Sequence, residues 1–159
     1  MDYQGGTPRL EHAFDIRIDF KDRWQWGPIH PGGPSHGYTS VQSGIVSGPM
    51  LNGRLVDVSG ADWPVVLTDG VVELNAHYML EADDGAKIYI QNKGYVYGPR
   101  AAGNGLAERP GYFRCTPYFR APDGPHEWLN RTVVLGAGER KPAKDGDVDH
   151  SLFRYWAVL

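Results

Sequence analysis

Glycine and proline interrupt this sequence so often that no long helix fits between them. The chain has 21 glycines and 12 prolines among 159 residues, spread along its length. Both residues favour turns and disfavour the interior of a helix, so we expect many short strands joined by turns. Pairs typical of tight hairpins occur at Asn52-Gly53, Asp69-Gly70, Asp84-Gly85 and Asp123-Gly124. The sequence therefore predicts neighbouring strands joined as antiparallel hairpins.

Alternation of apolar and polar residues identifies the strands. Residues 13–20 place Phe14, Ile16, Ile18 and Phe20 on one face and charged residues on the other, which is the period of a strand. Further strands or short apolar segments are predicted at residues 38–47, 54–58, 63–67, 71–81, 86–97, 111–119, 131–135 and 153–158. A short helical turn is expected at 126–130, and loops at 98–110 and 141–150.

Length and composition fit a single all-β domain over residues 1–159. A chain of 159 residues can bury a core without disulfides, and an aromatic content of 12% suits sheets and pocket linings. With no amphipathic helix of useful length, about eight antiparallel strands must form a sandwich or a barrel. Residues 1–9 precede the first strand and are expected to be flexible.

Charge and cysteine content argue against several classes of function. The formal net charge is −3 and there is no long basic run, so we expect no nucleic-acid partner. No apolar stretch approaches the roughly 20 residues that span a membrane, and residues 1–6 lack the features of a signal peptide. The single cysteine allows no internal disulfide, which favours a cytoplasmic location.

A series of short motifs resembles a known family. The motifs, in order, are Gly60-Ala61-Asp62-Trp63, Asp69-Gly70, Leu74-Asn75-Ala76-His77-Tyr78, Asp84-Gly85-Ala86, Asn92-Lys93-Gly94, Tyr112-Phe113-Arg114 and Trp128-Leu129-Asn130. Their order and spacing, over residues 10–158, resemble domain-of-unknown-function family 3237, a small bacterial and fungal family. The resemblance implies a compact, calycin-like antiparallel β-barrel of about eight strands with a central cavity. It implies little about chemistry.

The chain departs from the family pattern at two positions. The family typically carries Asp-Ala-Arg-Tyr where this chain has Asn75-Ala76-His77-Tyr78. The segment 24–37, dense in glycine and proline and opened by Trp24 and Trp26, is a second elaboration. Because it is too long for a simple connector, we expect a loop that covers one mouth of the barrel.

The polar face of the strand at 71–81 is the first candidate site. Glu73, Asn75 and His77 share this face, opposite Val72, Leu74, Ala76, Tyr78 and Leu80. The face either meets solvent or lines a ligand cavity, and the resemblance favours the cavity. In the second case His77 is the natural general base, Glu73 orients it or acts as the acid, and Asn75 binds substrate. Since the apolar face must then be covered, an inward His77 also predicts a homo-oligomer or an outer layer.

A second pair, Tyr112 and Arg114, shares one strand face. Arg114 is able to hold a carboxylate or phenolate, and Tyr112 to donate to an oxyanion. The alternative is a surface ion pair beside a packed tyrosine. Further candidate substrate contacts are Trp24, Trp26, Asp62, Trp63, Trp128 and Asn130, although a turn-capping Asp62 and a packed Trp128 are the more frequent cases.

No metal or cofactor is expected. His12, His30 and His36 lack the spacing of a zinc site, and Cys115 has no nearby histidine in sequence. Acid–base chemistry on a small aromatic or polyketide-like molecule fits best: an isomerase, cyclase, dehydratase or lyase of secondary metabolism. The alternative is a barrel that carries or senses a small ligand without catalysis. A weaker one is a structural subunit that docks through its aromatic loop.

Overall fold

The computed structural model of the protein describes residues 4–98 and 111–159 and consists almost entirely of β-strands. The strands are β1 (Leu10–Trp26), β2 (Ser35–Ser47), β3 (Gly53–Leu55), β4 (Ala61–Asp62), β5 (Val65–Val66), β6 (Val72–Ala82), β7 (Lys87–Tyr97), β8 (Tyr112–Arg120), β9 (Val134–Lys141) and β10 (His150–Val158). A single 3-10 turn, Glu127–Asn130, is the helical element of the described chain. It lies within the turn predicted at 126–130.

The strands close into an antiparallel barrel of eight staves. Strands β3, β4 and β5 each pair with both β2 and β6, so together they form one interrupted stave. Every other strand pairs with its neighbours in sequence, and β1 closes the barrel against β10. The predicted all-β, eight-stranded barrel is thus confirmed.

The inner faces of the strands form the core. Alternate residues point inward, and the largest fully buried side chains are Tyr78, Tyr155, Phe14, Ile16, Leu55, Leu80, Ile88 and Ile90. The apolar face of β6 is among them, since Tyr78 and Leu80 are 1% exposed and Leu74 and Ala76 pack against the core. Hydrophobic burial therefore decides which face of β6 lies inside.

Several predicted bounds were wrong. β1 continues to Trp26 and β2 begins at Ser35, so Trp24 pairs with Tyr38 and Trp26 with His36. Strand pairing outweighs the turn-favouring glycines and prolines here, and the connecting loop spans only residues 27–34. β9 begins three residues later than the predicted strand and runs into the expected loop at 141–150. The loop predicted at 98–110 lies, from residue 99 onward, outside the described residues.

Candidate functional site

A small, mostly apolar cavity lies inside the barrel, and a few polar side chains reach it. Its volume is about 50 Å³. Its lining includes Arg23 from β1, Thr39 and Val41 from β2, Asp62 from β4, Ala76 and Tyr78 from β6, Asn92 from β7, Phe113 from β8, Arg140 from β9, and Ser151 and Phe153 from β10. All eight staves contribute, so barrel closure itself assembles the site.

Asp62 is the carboxyl group among the residues that line this cavity. It lies on the two-residue strand β4, paired with Thr39 on one side and with Ala76 on the other, and all three point inward. Its Oδ1 accepts a hydrogen bond from the backbone N–H of Asn75 at 2.9 Å. Burial disfavours the carboxylate and raises the pKa of Asp62 to about 6, against the lowering effect of that bond and of Arg23. Asp62 therefore exchanges a proton close to neutral pH.

Two arginines meet one carboxylate at the edge of the cavity. Arg140 contacts both oxygens of Asp149, at 2.5 and 2.8 Å, and Arg23 contacts Oδ2 at 3.2 Å. Both guanidinium groups also lie over the ring of Phe20, at 5.4 and 5.6 Å. Burial and the neighbouring Arg140 lower the pKa of Arg23. The cluster carries one more positive charge than Asp149 neutralises, and that charge faces Asp62.

Arg23 is the more exposed of the two arginines that line the cavity. Its side chain is 42% exposed, whereas that of Arg140 is 13% exposed.

Buried hydroxyl and amide groups form the inner wall. Asn92 is 2% exposed and donates from Nδ2 to the Tyr155 hydroxyl at 3.0 Å. The Tyr78 hydroxyl and the Asn92 side-chain oxygen are buried but have no hydrogen-bond partner of acceptable geometry among the described residues. Burial raises the pKa of Tyr78 far above its ordinary value and also raises that of Cys115, so both stay protonated.

The structure places His77 on the outer face of β6, so the prediction that it points into the cavity is wrong. The reason is that Tyr78 and Leu80, on the opposite face, occupy the core. His77 is partly buried: Nδ1 lies 2.6 Å from the Tyr89 hydroxyl and Nε2 lies 3.1 Å from Asn75 Oδ1. The argument for an oligomer that depended on an inward His77 no longer applies.

The other predicted catalytic residues do come together, but on the outside of the barrel. Glu73, Asn75, Trp63, Tyr112 and Arg114 line one open groove of about 770 Å³ that crosses β6, β7 and β8. The Arg114 guanidinium lies 5.5 Å from the centre of the Tyr112 ring, and its Nη1 donates to the Phe113 carbonyl at 2.9 Å. The period-two pattern correctly predicted that Glu73 shares a strand face with Asn75, and Tyr112 with Arg114. The prediction that these faces point into the barrel was wrong.

The remaining predicted contacts lie elsewhere. Trp24 stacks on Tyr38, which also contacts Trp63, both at 4.8 Å between ring centres. Trp26 stacks on His36. Trp128 packs on the core beside Phe14, and Asn130 bonds the backbone N–H and C=O of Ala121 at 2.8 and 2.9 Å. Of the described residues in 24–37, none lines the interior cavity.

Four residues that line the cavity were not predicted as site residues from the sequence: Arg23, Arg140, Tyr78 and Asn92. The signal for Tyr78 was present, because it is the one side chain with a hydroxyl on an otherwise apolar strand face. Arg23 was hidden by the register shift between Phe20 and Arg23, and Arg140 stood near the end of a strand whose bounds were wrong.

In residues 4–98 and 111–159, no three His, Cys, Asp or Glu side chains are grouped as metal ligands would be. Within those same ranges, no helix has the length and apolar character needed to cross a membrane.

The sequence matches a known protein family and several curated relatives. The model of a family described as "Protein of unknown function (DUF3237)" matches residues 8–158. A UPF0311 protein of Rhodopseudomonas palustris is 29% identical over 142 residues, which is 84% of this chain and 91% of that protein. One from Clostridium acetobutylicum is 35% identical over 108 residues, 64% of this chain and 68% of that protein.

Solved structures show the same architecture. A β-barrel-like protein from Acinetobacter baumannii has a TM-score of 0.83 at 27% identity, covering 99% of this chain and 100% of that one. A protein of unknown function from Clostridium acetobutylicum has a TM-score of 0.86 at 26% identity, with 98% and 100% covered. An enzyme from Penicillium herquei, at 17% identity and full coverage of both chains, has a TM-score of 0.70 and shows a similar fold.

Proposed function

The chain belongs to the DUF3237 family, and on that premise we propose that it is an acid–base enzyme that needs no cofactor. Asp62 transfers the proton, and the reaction takes place at the barrel cavity. The substrate is a small molecule with a carbonyl group and an aromatic or polyketide-like body. Isomerisation, cyclisation, dehydration and retro-aldol cleavage are the reactions that this chemistry covers.

The observation that carries the proposal is the carboxyl group of Asp62 inside the barrel. Its pKa of about 6 lies close to neutrality, where a group accepts and returns a proton most effectively. Burial of an acid beside other titratable groups in a cleft is a frequent mark of a functional site. The enzyme from Penicillium herquei has this fold, so the fold is compatible with catalysis.

The arginines give the site a preference for negative charge. Arg23 and Arg140 share Asp149, and once Asp62 has taken up a proton one positive charge is left to face a phenolate or enolate. Such fixed charges stabilise an anion that develops during proton abstraction.

The size of the cavity limits what enters it. A cavity of about 150 Å³ is known to hold benzene, whereas this one has about 50 Å³. The reacting end of the substrate enters, and its ring stays outside. We predict that the ring contacts one or more of Trp24, Trp26, Trp63 and Asn75.

Phenylpyruvate is a suitable probe, because it combines an aromatic ring, a carboxylate and an enolisable carbon. Exchange of its C3 protons for deuterium, followed by ¹H NMR, should be faster with the protein than in buffer. Asp62→Asn removes the base and keeps the shape, so the enhancement should fall by roughly 10²–10⁴-fold.

Asp69→Asn is the matched control. Asp69 Oδ1 also accepts a backbone N–H, that of Val71 at 3.0 Å, but it lies in an exposed turn. This variant should exchange like the wild type. Equal rates for the wild type and Asp62→Asn would contradict the proposed role of Asp62.

A second candidate function, binding without catalysis, is favoured by the outer groove. Its 770 Å³ lies in the range of small-molecule pockets, and Tyr112 and Arg114 offer a ring and a charge. In that case Arg114→Ala should weaken the binding of an aromatic acid such as phenylpyruvate, while Asp62→Asn should leave it unchanged. If the protein is instead an acid–base enzyme, Asp62→Asn should slow phenylpyruvate exchange more than Arg114→Ala does.

A further inference from the structure

We propose that Tyr78 is a catalytic residue of the barrel cavity, where its hydroxyl donates a hydrogen bond to the substrate's carbonyl oxygen. The inference rests on the proposed function and narrows it. The substrate is a compound whose carbon next to a carbonyl group loses a proton to Asp62, and whose oxygen then bears the negative charge.

The Tyr78 hydroxyl is a buried polar group without a partner. The side chain is 1% exposed, Tyr78 is among the residues that line the cavity, and no described residue gives its buried hydroxyl a hydrogen bond of acceptable geometry. Leaving such a group unsatisfied costs about 1–3 kcal/mol. Buried hydroxyls usually have a partner, so a group that enters the cavity is expected to supply it.

The described groups around the Tyr78 hydroxyl leave its proton without an acceptor, so the proton is available to a group in the cavity. Asn92 Nδ2 donates to the oxygen of Tyr155 at 3.0 Å, which leaves the Tyr155 proton for another acceptor. Tyr155 interacts in turn with the Tyr78 hydroxyl. No hydrogen bond of acceptable geometry joins the two hydroxyls, so the Tyr78 proton has no acceptor among the described residues and is available to a group in the cavity. Because burial raises the pKa of Tyr78, the hydroxyl remains protonated across the neutral range.

The spacing of Tyr78 and Asp62 suits a carbonyl group and the carbon beside it. Asp62 pairs with Ala76, and Tyr78 is the next inward residue along β6. Two residues of a strand span about 7 Å. Both residues line the same cavity, and besides burial the charge of Asp62 contributes to the raised pKa of Tyr78, so the two groups are close enough to act on one carbonyl compound.

The chemical step balances within these groups. The Asp62 carboxylate takes the proton from the α-carbon, and the C–H electron pair becomes the carbon–carbon double bond. The carbonyl π electrons move to oxygen, which accepts the hydrogen bond of Tyr78. Return of the proton from Asp62 to carbon gives the product and restores the carboxylate.

The test is Tyr78→Phe, measured with phenylpyruvate exchange. We expect kcat to fall by roughly 10²–10³-fold, the usual effect of removing one oxyanion donor, and KM to change much less. Thermal stability should not fall, because removal of an unsatisfied buried hydroxyl with retention of the ring is neutral or stabilising. Tyr118→Phe, at an exposed outer-face tyrosine, should leave kcat, KM and stability unchanged.

The outcomes separate this inference from the proposed function. If Asp62→Asn loses exchange and Tyr78→Phe keeps it, only the role of Tyr78 is overturned. If the wild type does not accelerate exchange but binds phenylpyruvate, weaker binding by Tyr78→Phe in an NMR titration supports the hydrogen bond while the enzyme proposal fails. Equal binding, or no binding, overturns the inference and leaves water as the partner of Tyr78. If Tyr78→Phe fails to fold, 3-fluorotyrosine at position 78 replaces it. A more acidic donor should alter kcat without changing stability, and an unchanged kcat would overturn the inference.

Discussion

At the scale of single residues, the barrel holds a carboxyl group in surroundings that resist its ionisation. Exposed aspartates such as Asp15 and Asp147 show the opposite behaviour: hydrogen bonds from arginine lower their pKa values. Asp62 has Arg23 nearby, yet burial dominates and raises its pKa to about 6. The contrast arises from position, since Asp62 points into the barrel and the other two point out of it.

This contrast predicts how stability depends on pH. Asp62 titrates near 6 in the folded chain and near 4 in the unfolded chain. Between these values the folded state holds the extra proton, so the contribution of Asp62 to stability is lost as the pH rises from about 4 to 6. Two pKa units correspond to about 3 kcal/mol. Denaturation at pH 4 and pH 7 should show Asp62→Asn gaining up to that amount relative to the wild type, with no such gain for Asp69→Asn. A constant difference between wild type and Asp62→Asn across this range would contradict the raised pKa.

At the scale of the elements, the interrupted stave between β2 and β6 positions Asp62. Strand β4 has only two residues, and the preceding Gly60 accepts a hydrogen bond from Val41 N–H at 3.0 Å. A Cβ on Gly60 would lie 1.7 Å from the His77 carbonyl oxygen. Only glycine lets the chain approach β6 so closely, and this approach places Asp62 opposite Ala76.

Gly60→Ala should therefore disturb both fold and site. Backbone displacement of this kind is expected to cost about 1–3 kcal/mol in the free energy of unfolding, and exchange of phenylpyruvate should fall with the displacement of Asp62. Gly6→Ala, where an added Cβ meets no atom within 4 Å, is the control. A Gly60→Ala protein with wild-type stability would show that the approach of β4 to β6 is not tight.

Much of the fold could be predicted from the sequence, and the site only in part. Asx-Gly turns and period-two strands are local signals, so the eight-stranded barrel followed from them and from the family resemblance. The period-two pattern also showed that Glu73, Asn75 and His77 share a strand face. Which face of β6 points into the barrel depends on the burial of apolar surface, and this favours the face with Tyr78 and Leu80. Arg23, Asp62 and Arg140 lie far apart in sequence, and only closure of the barrel brings them to one cavity.

At the scale of the whole molecule, the first and last strands of the described chain pair with each other and close the sheet. β1 pairs with β2 along one side and with β10 along the other, and Arg154 on β10 contacts both oxygens of Asp15 on β1 at 2.9 and 2.8 Å. In an open sheet the first and last strands would have unpaired backbone groups. Here each of the two strands has a partner on both sides, and the β1–β10 pairing is longer than that of β8 with β9.

Native-state hydrogen exchange should reflect this closure. The paired amides of residues 14–18 in β1 and 151–155 in β10 should exchange only through global unfolding, with the same free energy as those of β6 and β7. Amide exchange measured by NMR in weak denaturant tests this expectation. Substantially lower protection in β1 or β10 would indicate that the barrel opens at this seam.

The central claim is that Asp62 is an acid–base group within the barrel, and the titration of its carboxyl group tests it most directly. Aspartate labelled with ¹³C at the side-chain carboxyl, assigned by comparison with Asp62→Asn, allows the pKa to be measured by NMR without a substrate. We expect a midpoint near 6, well above that of the exposed Asp69. A midpoint near 4, the ordinary value for aspartate, would contradict the proposed role.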